Sequence, residues 1–228
     1  MKIIAGLVAL TLTISPAFAA PRPVVVELFT SQACSDCPPA DALLKRVQAE
    51  DPDVLVLDLH VTYWDGVPWK DPFSLQSATD RQNYYAALGD SSEVYTPEAV
   101  VDGEKQFVGS DSDTMAAAIE HARMQIAAGR AVPVAVNAHG NDLSVHVGPA
   151  GDSGTVWLFG FDPSHTTNVL GGENGGATLS EVNVVRSISR LGVWTGQPMI
   201  FNVNPPAGEK FAVLVQKQDG TILGAGSN

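Results

Sequence analysis

Cys34-Ser35-Asp36-Cys37 holds the only two cysteines of the chain. The run before them, Val24-Val25-Val26-Glu27-Leu28-Phe29, is apolar apart from Glu27 and reads as a strand. After them Ala40, Leu43, Leu44 and Val47 fall on one helical stripe. Pro38 and Pro39 suit a first helical turn, where a missing N–H costs nothing. The pattern predicts a strand, a loop, and a helix opening with Cys-x-x-Cys. A thiol at a helix start meets unpaired N–H groups and the positive end of the helix dipole, and both favour the nucleophilic thiolate.

Three other readings of the pair compete. A purely structural disulfide here would close a loop of about four residues and gain only about 2 kcal/mol, against about 4.7 for a loop of a hundred residues. Half of a zinc site would need a second ligand pair, and there are no further cysteines. Two thiolates holding Cu(I) make a reasonable soft-metal site, and this is the alternative kept.

The first twenty residues read as a leader to be removed. Lys2 gives a positive start, Ile3 to Ile14 is apolar but short, and Ala17-Phe18-Ala19 is a small-x-small cleavage pattern. A mature chain beginning at Ala20 or Pro21, periplasmic or secreted, would meet conditions where disulfides persist. No later apolar run is long enough to span a membrane. The net charge is −12, and Lys and Arg form no cluster, which argues against nucleic acid and anionic membrane surfaces as partners. No Ser/His/Asp arrangement, phosphate loop or carboxylate pair stands out, and no motif calls for a cofactor.

Along the chain, Asp51-Pro52-Asp53 ends the first helix, and Val54 to Val61 reads as a buried, parallel strand. The loop from Tyr63 to Pro72 is rich in aromatic and turn residues. Asp71-Pro72 resembles an N-cap and first turn, so a helix is expected from Phe73 to about Leu88, stopped by Gly89. Arg81, Tyr84, Tyr85 and Leu88 mark its face. Asp102-Gly103 between two short β runs is a hairpin signal, and Pro97 opens the first of them. A further helix begins around Ser110-Asp111-Ser112-Asp113 and ends at Gly129. Beyond Pro133 come short β-rich runs: Val134 to Ala138, Leu143 to Val147, Thr155 to Phe161, Val169-Leu170, Leu179 to Leu191, Met199 to Val203 and Phe211 to Val215. Gly, Asn, Asp and Pro separate them, which indicates an antiparallel module.

The order strand, helix, strand, helix, strand, hairpin strand, helix, with Cys-x-x-Cys at the first helix and Pro97 at the third strand, resembles the thioredoxin fold. The resemblance implies a cis Pro97 facing the cysteines and Thr96 beside Cys34. The expected fold class is an α/β thioredoxin-like domain followed by an antiparallel all-β, sandwich-like module. The expected segments are a leader at 1–20, the thioredoxin-like domain at 21–130 and the β module at 131–228.

Further strings resemble one family of exported bacterial proteins, domain of unknown function 1223. They are Glu27-Leu28-Phe29-Thr30-Ser31 with Cys34 to Asp41, Tyr63-Trp64-Asp65 with Trp69 to Phe73, Arg81-Gln82 with Tyr85, and Val94-Tyr95-Thr96-Pro97 with Val101-Asp102-Gly103. Gly172-Glu173-Asn174, Asn183-Val184-Val185-Arg186 and Leu191 to Gly196 complete the set. Two positions depart from the family pattern: Glu98 where Gln is usual, which puts an extra acid near the cysteines, and Gly175 where a basic residue is usual.

Cys34 is the expected attacking thiol and the more exposed of the pair; Cys37, one turn into the helix, would resolve the mixed disulfide. Asp36 between them opposes thiolate formation. Glu27 is read either as a buried acid carrying the proton for the second thiol, as in thioredoxins, or as a strand residue facing away. Thr96 and Pro97 complete the catalytic set, and Tyr63, Trp64 and Tyr95 are candidate substrate-lining residues. Glu173 and Arg186 are a candidate ion pair. His60 could reach the cysteines, and His139, His146 and His165 lie in the β module without a ligand spacing. The reading is a thiol–disulfide oxidoreductase acting on protein or small-molecule thiols and disulfides; the alternative is a non-enzymatic protein that binds a soft metal ion or a partner.

Overall fold

The computed structural model describes residues 22–66, 68–89 and 93–228; the expected leader lies outside the described residues. The first strand, β1 (Val24–Thr30), is buried along its whole length. Its even residues Val24, Val26 and Leu28 face one core, and Val25 and Phe29 face another, as alternation along a strand requires. α1 (Pro38–Glu50) returns over the first face and leads to β2 (Val54–His60), which pairs parallel to β1 with Leu28 opposite Asp58 and Thr30 opposite His60.

α2 (Gln76–Leu88) starts three residues later than the sequence suggests. The Asp71 carboxylate does accept the Phe73 N–H, at 2.9 Å, but this only closes a turn, because its other oxygen is held by His60 and by the Gln32 N–H. Leu75 is the actual N-cap. β3 (Glu98–Val101) lies antiparallel to β1 and pairs with β4 (Lys105–Val108). Asp102 (φ 53°) and Gly103 (φ 74°) make the hairpin turn between them. A Cβ on Gly103 would lie 1.9 Å from the Gly220 carbonyl oxygen, so two turns approach backbone to backbone there. α3 (Ser112–Ala127) is capped by the Asp111 side chain, which accepts the Thr114 N–H. Met115, Ala118, Ile119, Ala122 and Ile126 join α1 in covering the first core.

The rest of the chain is β5 (Val134–His139), β6 (Asp142–Val147), β7 (Gly154–Asn168), β8 (Thr178–Trp194), β9 (Met199–Val203), β10 (Lys210–Gln216) and β11 (Ile222–Ser227). These strands do not stand apart. β7, β8, β10 and β11 extend the first sheet to eight strands in the order β11-β10-β7-β8-β2-β1-β3-β4. After residue 130 the chain enters a second sheet with β5 and β6 and returns to the first with β7, so the segment from 131 on is shared between both sheets. A second sheet, β5-β6-β9, packs Val136, Leu143 and Val145 against Leu158, Val213 and Val215 of the extension, with Trp194 buried between. The other face of the extension, Phe159, Leu214 and Ile222, meets Val25, Leu57 and Tyr85. The Ile222 N–H donates to the Asp102 carbonyl at 3.0 Å, so the far edge of the sheet curls back to the β3–β4 turn. Val169-Leu170, read as a strand, lies in the β7–β8 connection instead.

Glu27 sits on the α2 face of β1, in step with Val25 and Phe29 and opposite the face that α1 covers. Its carboxylate is ion-paired with Arg81, whose Nη2 donates to Oε1 at 2.7 Å, and it accepts the Tyr85 hydroxyl at 2.8 Å. The Arg81 guanidinium also lies 5.0 Å from the Phe159 ring centre and 5.1 Å from that of Tyr85. The reading of Glu27 as proton carrier for the cysteines is corrected by this placement, since its acid is spent on a structural pair across the sheet from α1. Removing one partner of such a pair leaves a buried unpaired charge. Glu27→Leu is expected to cost about 3–5 kcal/mol in urea denaturation, and Glu27→Leu with Arg81→Met to recover most of that loss. Equal losses for the single and double variants would contradict the pairing.

Candidate functional site

Cys34 and Cys37 are joined in a disulfide. Cys37 is the N-cap of α1 and Cys34 lies in the loop ahead of it, so neither is inside the helix as expected for Cys37. Pro38 and Pro39 begin the helix without loss of a hydrogen bond, and the Asp41 N–H donates to the Cys37 carbonyl at 3.1 Å. The Thr96–Pro97 peptide is cis, and the Cys34 sulfur lies 3.8 Å from the Thr96 carbonyl oxygen. Trp64 Nε1 donates to Thr96 Oγ1 at 2.7 Å. Gln82 gathers the neighbouring loop: its Oε1 accepts the Tyr63 hydroxyl, and its Nε2 donates to the Tyr95 carbonyl at 2.7 Å and to Glu98 at 2.6 Å. Burial pushes the Glu98 carboxyl up, with Gln82 opposing. Cys34, Cys37, Thr96, Pro97 and Trp64 thus come together, with Tyr63 and Tyr95 half exposed at the side through Gln82, and Glu27 alone is elsewhere.

Neither sulfur is at the surface. Cys34 is only 1% exposed and Cys37 not at all, although Ser35 and Asp36 between them are exposed. The connection between β7 and β8 is bonded to the backbone of the cysteine loop. Asn174 Nδ2 donates to the carbonyls of Gln32 (3.1 Å) and Cys34 (2.8 Å), and Glu173 Oε2 accepts the Ser35 N–H at 2.9 Å. That bond holds the Glu173 carboxyl below its usual range. Glu173 is therefore not the partner of Arg186, which instead binds Asp162 at 2.6 Å beside His165.

Behind the cysteines, on the α1 face of the sheet, lies a buried polar nest that sequence reasoning did not assemble. Asp58 and His60 project there from β2, in step with Val54 and Val56. Asp41 joins from the first turn of α1, bonded to Thr30 at 2.9 Å; Asp71 joins from the loop before α2, and Glu181 from β8. Gln32 ties it to the cysteine loop: its N–H donates to Asp71 at 2.8 Å, and its Nε2 reaches both Glu181 oxygens at 3.0 Å. Among the described residues no Lys or Arg side chain pairs with any of the four carboxyls. No group of three His, Cys, Asp or Glu side chains among them is arranged to hold a metal ion.

Burial pushes three of these four carboxyls toward their neutral form. Burial drives the Asp41 carboxyl well up, and Asp58 adds to the effect. Burial also raises Asp58, against His60, whose Nε2 stands 3.6 Å from an Asp58 oxygen. Burial alone would lower His60, but Asp71 and Asp58 outweigh it and hold the imidazole well above its usual value. Asp71 stays ionised: burial opposes this, while His60 Nδ1 at 2.7 Å and two backbone N–H groups favour it. Burial pushes Glu181 up to about 7, with Asp58 and Asp71 adding to it and His60 and Gln32 opposing. The period-two placement of Asp58 and His60 in an otherwise apolar strand was the available signal.

The family described as "Protein of unknown function (DUF1223)" matches residues 25–216. The crystal structure of protein AGR_C_4864 from Agrobacterium tumefaciens is similar at 29% identity and a TM-score of 0.79, covering 92% of this chain and 95% of that one. HBP35 of Porphyromonas gingivalis shares the fold at 14% identity and a TM-score of 0.59, covering 92% of this chain and 76% of that one. No curated protein matches the chain.

A raised carboxyl gives a signed dependence of stability on pH. Glu181 contributes its full stabilisation below its unfolded value near 4.5 and loses it as pH rises through about 7. The loss is about 3 kcal/mol between those limits. Glu181→Gln keeps the bond to Gln32 and removes the proton equilibrium. Its stability relative to the parent is expected to rise from pH 5 to pH 8 in urea denaturation, and a constant difference would refute the assignment.

Proposed function

The chain belongs to the DUF1223 family, and from that premise we propose that it is an exported thioredoxin-like protein whose work is thiol–disulfide exchange at Cys34 and Cys37. The observation that carries the reading is the placement of the pair at the head of α1, with the Cys34 sulfur against the carbonyl that precedes cis-Pro97. The strand order β2-β1-β3-β4 with α1 and α3 on one face supports the thioredoxin-like description. The leader at 1–20 supports export to a compartment where the disulfide persists. The partners are thiols or disulfides of proteins or small molecules.

In the reductive direction a partner thiolate attacks Cys34 Sγ. The bond between the two sulfurs breaks, its electron pair leaves on Cys37, and a mixed disulfide forms at Cys34. Cys37 then needs a proton or a positive neighbour. The α1 N-terminus supplies the dipole. The nest supplies protons one helical turn away, where Asp41 follows Cys37 by four residues on the side turned to the sheet. A second thiolate then attacks the partner's sulfur in the mixed disulfide, releasing Cys34 and leaving the partner as a disulfide; in the opposite direction Cys34 attacks a partner disulfide, and Cys37 resolves the mixed disulfide and releases the reduced partner. Glu27 has no part in this, being across the sheet.

Equilibration of the protein with glutathione buffers of graded potential, followed by alkylation and mass measurement, tests the reading. The pair is expected to titrate as one two-electron couple, and Cys37→Ser to trap a mixed disulfide at Cys34. Cys34→Ser is expected to abolish trapping. A pair that never exchanges in the folded protein would remove the enzymatic reading.

A further inference from the structure

We propose that residues 169–177, the tip joining β7 to β8, are a built-in cover on the disulfide, and that Asn174 and Glu173 determine what reaches Cys34. The inference rests on the exchange reading above and adds a gate to it. The tip touches the cysteine loop through side chains that bind its backbone: Asn174 on the carbonyls of Gln32 and Cys34, Glu173 on the N–H of Ser35. With these in place Cys34 is 1% exposed, while its neighbours Ser35 and Asp36 face solvent. A reductant cannot attack a sulfur it cannot touch, so the bonds must open first.

The tip is built to move as a unit. Its own turns are closed by internal bonds: Val169 N–H to the Ala177 carbonyl, Gly176 N–H to Val169, Gly175 N–H to Gly172, and Ala177 N–H to Asn174. Val169 is buried at its base, but Leu170 is 82% exposed, so no large apolar side chain locks the outer part down. Gly172, at φ 73°, lies against Ala33; a Cβ there would be 3.4 Å from the Ala33 Cα. Gly171 is tighter, since a Cβ there would come within 2.9 Å of the Pro68 ring. Close approach without side chains leaves the three side-chain bonds as the main hold. The groups they occupy are two carbonyls and one N–H of a turn, which another peptide backbone could bind in their place. A peptide segment is therefore the chemistry that would displace the tip, and small reductants must wait for it to open.

The test follows reduction by dithiothreitol, a dithiol. One of its thiolates attacks Cys34 Sγ, and the electron pair of the broken bond leaves on Cys37 and takes up a proton. The second thiol then closes on the mixed disulfide, releasing Cys34 as the reductant becomes a cyclic disulfide. In the intact protein the rate is expected to level off with rising dithiothreitol, because opening becomes limiting. Asn174→Ala is expected to raise the plateau about ten- to a hundredfold, the worth of two hydrogen bonds. Asn174→Asp, equal in size but setting a carboxylate against two carbonyl oxygens, should do the same. Urea denaturation of each variant separates gating from general loss of structure. A parent rate that stays linear and equal to that of both variants overturns the gate and leaves the exchange reading standing. Reduction of all three proteins only at the rate of global unfolding overturns both.

Discussion

A single backbone bridge, Asp58 to Val184, joins β8 to β2, and the site depends on it. Asn183, at φ 48°, makes the turn that the junction needs, its side-chain amide donating to the Val56 carbonyl at 2.9 Å and accepting from Gln48 of α1 at 3.0 Å. Asn tolerates this left-handed backbone better than other residues with a side chain. Beyond the junction the distal arm of the β7–β8 hairpin lies on the α1 side, with Val182 in the α1 core, Glu181 on Gln32 and Asn174 on Cys34. Without this bend the strands beyond β7 would still extend the sheet. The cysteine loop would then lose the bonds of Asn174 and Glu173, and the polar nest would lose one wall.

The nest itself is costly. Four buried carboxyls share one imidazole and no other cation, and charges so placed repel across a medium that screens poorly. Burial raises Asp41, Asp58 and Glu181, the last to about 7, which favours their neutral forms and lessens that cost. Such a store is hard to explain by stability alone, since apolar side chains in its place would pack without any proton equilibrium. On the proposed exchange, reduction of the neighbouring disulfide takes up protons, which gives the store a use. The Glu27–Arg81 pair across the sheet shows the other solution to a buried acid, a matched cation with its remaining donors satisfied.

Local signals carried most of what the sequence made legible. The strand before the cysteines, the prolines after them, the Asp102-Gly103 turn and the Asp111 cap are each set by residues within a few positions of one another, and they stand where the pattern put them. Asp71-Pro72 misled because an N-cap and a buried carboxylate look alike until the partner is known; here the partners are His60 and Gln32. The later strands were legible as strands, but a period of two names no neighbour, so their union with β2 was not. Glu173 and Arg186 illustrate the same limit: opposite charges suggest a pair, yet a backbone N–H and Asp162 claim them instead. The hold on the cysteine loop was equally out of reach, because Asn174 comes from about 140 positions further along.

Gln32 is where cover and nest meet. Its N–H is held by Asp71, its side-chain nitrogen by Glu181 and its carbonyl by Asn174, two residues ahead of Cys34. Its Oε1 has no partner among the described residues, so the amide is held from one end only. An ionised Glu181 accepts from that nitrogen with both oxygens, whereas a protonated one has a hydrogen to offer the free Oε1 instead. The two states of Glu181 thus favour two orientations of one side chain, on the same short loop that Asn174 fastens. Linkage is reciprocal: if the proton on Glu181 shifts how firmly the loop is held, release of the loop must shift the proton by the same free energy. On the gate proposed above, Gln32 is the residue through which the Glu181 proton and the hold of Asn174 on the loop would be coupled.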